Sequence, residues 1–126
     1  MTDLAETGRT VIREMMGEDF IEKRNAKRNA FTATVQDYSD EVCFGRVWSR
    51  PGIDRKQRSI LNIAMLVALN RTPQLRTHIE GALNNGVTVE ELREILLHTA
   101  VYCGLPAAVE GFRVADEVLK AKKLLD

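Results

Sequence analysis

The run SILNIAMLVAL, Ser59 to Leu69, constrains this chain more than any other stretch. Wound at 3.6 residues per turn it is apolar on nearly every side, so it reads as the central helix of a fold, with other helices around it. Pro51-Gly52 forces a turn ahead of it. Asp54 stands where a cap belongs, with Gln57 three residues on, which is a capping-box arrangement. Arg50, Arg55, Lys56 and Arg58 crowd the same region. A helix begins with unpaired N–H groups and a positive dipole end, so each exposed cation there is disfavoured by about 0.3–1 kcal/mol. Either solvent screens this cluster or an anion comes to it.

Cap and stop signals divide the rest of the chain into further helices, with no convincing strand. Thr2 and Asp3 cap a first helix through about Met16, and Gly17 stops it. A short second piece covers Glu18 to about Asn25. In a third, Phe31, Val35, Tyr38 and Val42 recur at helical spacing and the pattern runs toward Trp48. After the central helix, Thr72-Pro73 supplies a cap and a first-turn proline for a fifth, which reaches about Leu83 and ends at Asn84-Asn85-Gly86. Thr88 and Glu91 form a second capping box and open a sixth helix, closed by Gly104; a seventh runs from near Pro106 into KAKKLLD. The expectation is one all-α domain over residues 1–126, a bundle of about six to seven helices. Ala107, Gly111 and Ala115 leave one face of the last helix almost without bulk, for a neighbour from this chain or from a second subunit.

Composition removes several partners. Lys plus Arg total 18 and Asp plus Glu total 18, so no basic face for nucleic acid or membrane surfaces is implied. The first residues, MTDLAETGRTVIREMM, form neither a signal nor a transit peptide, and no apolar run reaches membrane-spanning length; a soluble, cytoplasmic protein is expected. Cys43 and Cys103 lie far apart, without C-x-x-C or metal-ligand spacing, and read as small buried hydrophobes. No metal site is expected.

The polar residues on apolar helices remain. Arg55, Arg58 and Asn62 share one stripe of the central helix. His78 falls within the apolar face Leu75, Ile79, Ala82 and Leu83 of the fifth. Glu94, His98 and Tyr102 align one turn apart on the sixth. From the residues alone, each histidine is either a satisfied core group or a chemical one, and the arginines are either a solvated cap or an anion site.

The motifs W-x-R-P-G-x-D-R-x-x-R-S from Trp48, H-x-x-x-A-L-x-N-G-V-T-x-E-E from His78 and H-x-A-x-Y-x-G-x-P-A-A from His98 together resemble the carboxymuconolactone decarboxylase family. The likeness runs from about Gly8 to Leu119 and is nearest the γ-carboxymuconolactone decarboxylase branch of protocatechuate (β-ketoadipate) degradation. It implies an alkylhydroperoxidase D-like fold, homo-oligomers built as trimeric rings or hexamers, and a carboxy-lyase using neither metal nor organic cofactor. Relatives that are peroxidases use a C-x-x-C pair four residues before a histidine matching His78; here those positions are Arg71 and Gln74, which disfavours a peroxidase.

A small lactone carboxylate as substrate needs a cationic clamp for its spectator carboxylate, a donor to the lactone oxygen as it turns negative, and a proton for the ring carbon. Arg55 and Arg58 suit the clamp. His78 and His98 suit the donor and the proton source, in an order the residues do not give. Glu94 is placed to orient His98, Tyr102 to add a hydrogen bond, and Trp48 and Arg50 to close the pocket. A non-catalytic oligomeric binding protein is the further alternative. A helix-turn-helix DNA binder is disfavoured, since the helix after NNGVT opens VEELREILL with three acids and only Arg93 to meet phosphate.

Overall fold

Asp3 starts the first helix through its side chain: Oδ1 accepts from the Ala5 and Glu6 N–H groups at 3.0 and 3.4 Å. The computed structural model describes residues 3–125, so the expected part of Thr2 in this cap lies outside the described residues. The helices are α1 (Leu4–Met16), α2 (Glu18–Ala26), α3 (Ala33–Tyr38), a π-helix (Ser39–Trp48), α4 (Arg55–Ala68), α5 (Thr72–Asn84), α6 (Val89–Tyr102) and α7 (Leu105–Ala121). Among the described residues there is no strand, so the all-α class stands. None of these helices is long and apolar enough to cross a membrane. The chain forms two compact units, Met1–Asp54 and Arg55–Asp126.

In the first unit α1 lies against the π-helix, and two glycines set how closely. A Cβ at Gly8 would stand 1.8 Å from the Asp40 carbonyl oxygen, and one at Gly45 would stand 2.2 Å from that of Leu4. Backbone meets backbone on both sides. Val11, Met15 and Trp48 form the apolar centre of this unit, with Met16, Cys43 and Phe44 packed on it. Asp40 is only 1% exposed and is held by Arg24, whose guanidinium donates to both carboxylate oxygens at 2.8 and 3.3 Å, while Arg9 stands 3.7 Å away. A buried carboxylate persists only when paired in this way. The expected third helix therefore exists but changes winding after Tyr38, and its leading residues differ from expectation. Phe31 lies in a turn and is 91% exposed; Val35 and Tyr38 also face outward.

The second unit packs α4 through α7 around Ile63, Val67, Leu75, Ile79, Ala82, Val87, Leu92, Leu96, Val114, Ala115, Val118 and Leu119. The low-bulk ridge of α7 meets its own chain: a Cβ on Gly111 would come within 3.0 Å of Leu96 and 3.3 Å of Val67. The α6 capping box forms, with reciprocal Thr88–Glu91 bonds of 3.0 Å. Thr72 departs from expectation. It is the first residue of α5, not its cap, and its hydroxyl lies 3.5 Å from Glu110 of α7. The last helix also stops at Ala121, short of the charged end, where Lys123 takes a positive φ of 60°. α4 buries Ser59, Ile63 and Val67, but Leu61, Met65 and Leu69 on its other side are exposed, so it is not enclosed on all sides within this chain.

Candidate active site

α4 begins at Arg55, directly after Asp54, with no acidic residue in its first turn. Its opening turns thus set Arg55, Lys56 and Arg58 against the positive end of the helix dipole. Lys56 is answered by Glu91 of α6, Nζ to Oε2 at 2.9 Å. That carboxylate is held below the usual range mainly by the Thr88 backbone N–H, then by Lys56. Arg55 and Arg58 are half-buried, and the Arg58 Nε is sealed from solvent. Two guanidinium groups one turn apart, partly desolvated and next to helix N–H groups, match a carboxylate.

One turn beyond Arg58 is Asn62, and here α5 contributes. The Asn62 Nδ2 stands 3.3 Å from His78 Nδ1. An amide nitrogen only donates, so Nδ1 accepts and a neutral His78 carries its proton on Nε2. Burial lowers the His78 pKa, because the charged imidazolium is poorly solvated there. His78 is thus a neutral N–H donor near pH 7, joined through Asn62 to the stripe that carries Arg58. Sequence periodicity put Asn62 on that stripe but gave it no task; the signal was a polar residue one turn from Arg58 on an apolar helix.

His98 sits differently. α6 buries Leu92, Leu96 and Thr99, and the face bearing Glu94, His98 and Tyr102 is exposed. The His98 and Tyr102 rings pack at 5.0 Å between centroids with a 34° tilt. Among the described residues Glu94 makes no hydrogen bond or ion pair with His98, and neither His98 nor Glu94 has a hydrogen bond, ion pair or ring contact with His78, Arg55 or Arg58. Glu94 and His98 are both exposed on one face of α6. Trp48 is a core side chain of the first unit, stacked on Phe44 at 5.6 Å, and Arg50 is exposed.

Cys43 and Cys103 are free and half-buried, where full burial was expected. Burial pushes the Cys43 thiol up despite a hydrogen bond from Trp48, which disfavours the reactive thiolate. Among the described residues no group of three His, Cys, Asp or Glu side chains is placed to hold a metal ion.

The family model of the carboxymuconolactone decarboxylase family matches residues 33–117. A 4-carboxymuconolactone decarboxylase of Acinetobacter baylyi is 41% identical over 113 residues, covering 90% of this chain and 84% of that protein. The nitrosuccinic acid decarboxylase npaB of Metarhizium robertsii is 42% identical over 118 residues, 92% of this chain and 81% of that protein. An uncharacterised protein of Paracoccus denitrificans is 32% identical over 80 residues, 62% of this chain and 60% of that protein. With a family match over most of its length and two relatives above 40% identity across nine-tenths of it, the chain belongs to the carboxymuconolactone decarboxylase family.

Proposed function

We propose that this chain is a carboxy-lyase converting γ-carboxymuconolactone to the β-ketoadipate enol-lactone. The observation that carries the reading is the alignment of Arg58, Asn62 and a neutral His78, with Arg55 one turn earlier. In the reaction the bond from the ring carbon to the departing carboxylate breaks and CO2 leaves. The electron pair moves through the ring double bond onto the lactone carbonyl, giving a dienolate, and a proton then adds to a ring carbon. Arg55 and Arg58 grip the carboxylate that stays. His78, neutral with its proton on Nε2, donates a hydrogen bond to the lactone oxygen as charge develops there. His98, the exposed histidine, supplies the ring proton and is recharged from water, with Glu94 and Tyr102 on its stripe.

The relatives support this chemistry. Nitrosuccinic acid, named for the Metarhizium protein, is also a diacid with an electron-withdrawing group beside a carboxylate. The family match crosses Asp54, which supports one functional domain over residues 1–126. Leu61 and Met65 on α4 with Leu69 just past its end, and Val101, Tyr102 and Leu105 around the end of α6, are apolar and exposed, which supports a homo-oligomer, trimeric or hexameric, with the α4 stripe running beside Arg58 and Asn62. A cytoplasmic location fits a small diffusible acid as substrate.

The test is turnover of the purified protein with γ-carboxymuconolactone, followed by loss of its ultraviolet absorbance, with nitrosuccinate in parallel. Turnover of the lactone that the Arg58→Ala variant loses, by a raised KM, supports the assignment. No turnover, or turnover of nitrosuccinate alone, overturns the substrate.

A further inference from the structure

The turn between α5 and α6 carries an asparagine whose local geometry does not account for it. Asparagine next to a helix end is ordinarily useful because it tolerates a left-handed backbone. Asn85 does not use that freedom: its φ and ψ are −86° and 6°, and the left-handed position falls to Gly86 at φ 99°. Backbone bonds already close the turn, from Asn85 N–H to the Gly81 and Ala82 carbonyls, from Gly86 N–H to Leu83 and from Val87 N–H to Ala82. The side chain instead crosses to α4. Its Nδ2 donates to the Ser59 hydroxyl at 3.0 Å, and Ser59 is only 1% exposed.

Ser59 directly follows Arg58. One turn back on the same flank, Lys56 reaches Glu91 at 2.9 Å, its stem passing Gly86. Residues 56 and 59, both tethered to the segment 85–91, interleave with residues 55 and 58, which carry the guanidinium groups. We propose that Asn85 is a positioning residue for the anion clamp: by holding Ser59 it fixes the rotation of the first turns of α4, and so the direction of Arg55 and Arg58. This rests on the reading of those arginines as the clamp. A two-point fork on a carboxylate tolerates little misalignment, so a shifted guanidinium weakens its grip on the bound diacid. Lys56 assists but is a poor probe, since removing a cation beside an anion site weakens binding by charge alone.

The test compares wild type, Asn85→Ala and the double variant Ser59→Ala/Asn85→Ala in the full chain. It reads melting temperature, kcat and KM with γ-carboxymuconolactone, and the affinity for succinate as an unreactive diacid. The clamp holds a carboxylate equally in ground and transition states, so Asn85→Ala raises KM and weakens succinate about tenfold with kcat little changed. The double variant, which leaves no buried hydroxyl without its donor, regains melting temperature but keeps the raised KM and weak succinate binding. A purely structural bond gives the opposite: melting falls in the single variant with KM and succinate affinity unchanged, or all recover together in the double. Wild type that binds succinate but leaves the lactone intact overturns the reaction and not the positioning, which the succinate series then decides. Wild type that neither binds succinate nor turns over the lactone overturns both.

Discussion

His78 gives the clearest residue-scale prediction. Its pKa is lowered by burial, so below about pH 6.5, the ordinary value, the unfolded chain binds more protons than the folded one. Stability therefore rises with pH through the window between the lowered folded value and the ordinary one, and is lost as pH falls through it. Urea unfolding at pH 7 and pH 5 will show His78→Asn losing less stability on acidification than wild type. The same variant will depress kcat far more than melting temperature at pH 7; a collapse of folding would make His78 a core residue only. A neutral His78 as hydrogen-bond donor also places one limb of the pH–activity profile on its protonation. As pH falls below the His78 value, Nδ1 gains a proton and can no longer accept from the Asn62 Nδ2, so the ring loses the bond that orients its Nε2–H.

At the scale of elements, the α1 and π-helix pair is the least forgiving contact in the first unit. Gly8→Ala drives a methyl group into a backbone oxygen that has no flexible end to move aside, and will destabilise the protein by about 3 kcal/mol, read as a lowered urea midpoint. Gly45→Ala will behave alike. Gly111→Ala, facing the tips of Leu96 and Val67, will cost less, because those side-chain ends can give and the helix gains an alanine. Thr88→Ala removes one half of the α6 capping box and will lower stability by about 1 kcal/mol. Caps of this kind were legible from sequence because Thr88 and Glu91 are neighbours in the chain. The π winding after Tyr38 was not, and the contacts made within that segment, Asp40 with Arg24 and the Asp40 carbonyl with Gly8, join residues distant in sequence.

For the whole molecule, the exposed apolar stripe Leu61, Met65 and Leu69 predicts assembly. Met65, 52% exposed in the single chain, replaced by Glu will shift the protein to smaller species in sedimentation without unfolding it. An unchanged sedimentation pattern would remove that stripe from any interface. Because it borders Arg58 and Asn62, the same variant is expected to alter turnover as well.

Features carried by near neighbours in the chain were legible in the residues: helix starts at Asp3 and Thr88, stops at Gly17 and Gly104, the arginine-rich opening of α4, and the periodic faces that fill the core of the second unit. Three motifs sufficed to indicate the family. Tertiary structure alone decided which polar residues meet. It paired His78 with Asn62 and Asn85 with Ser59, left His98 and Glu94 on an exposed face, and put Trp48 into a core. The reason is that periodicity fixes the direction in which a side chain leaves its own helix, whereas its partner depends on how far and at what angle a second helix approaches, and that is set by packed volume summed over many distant residues.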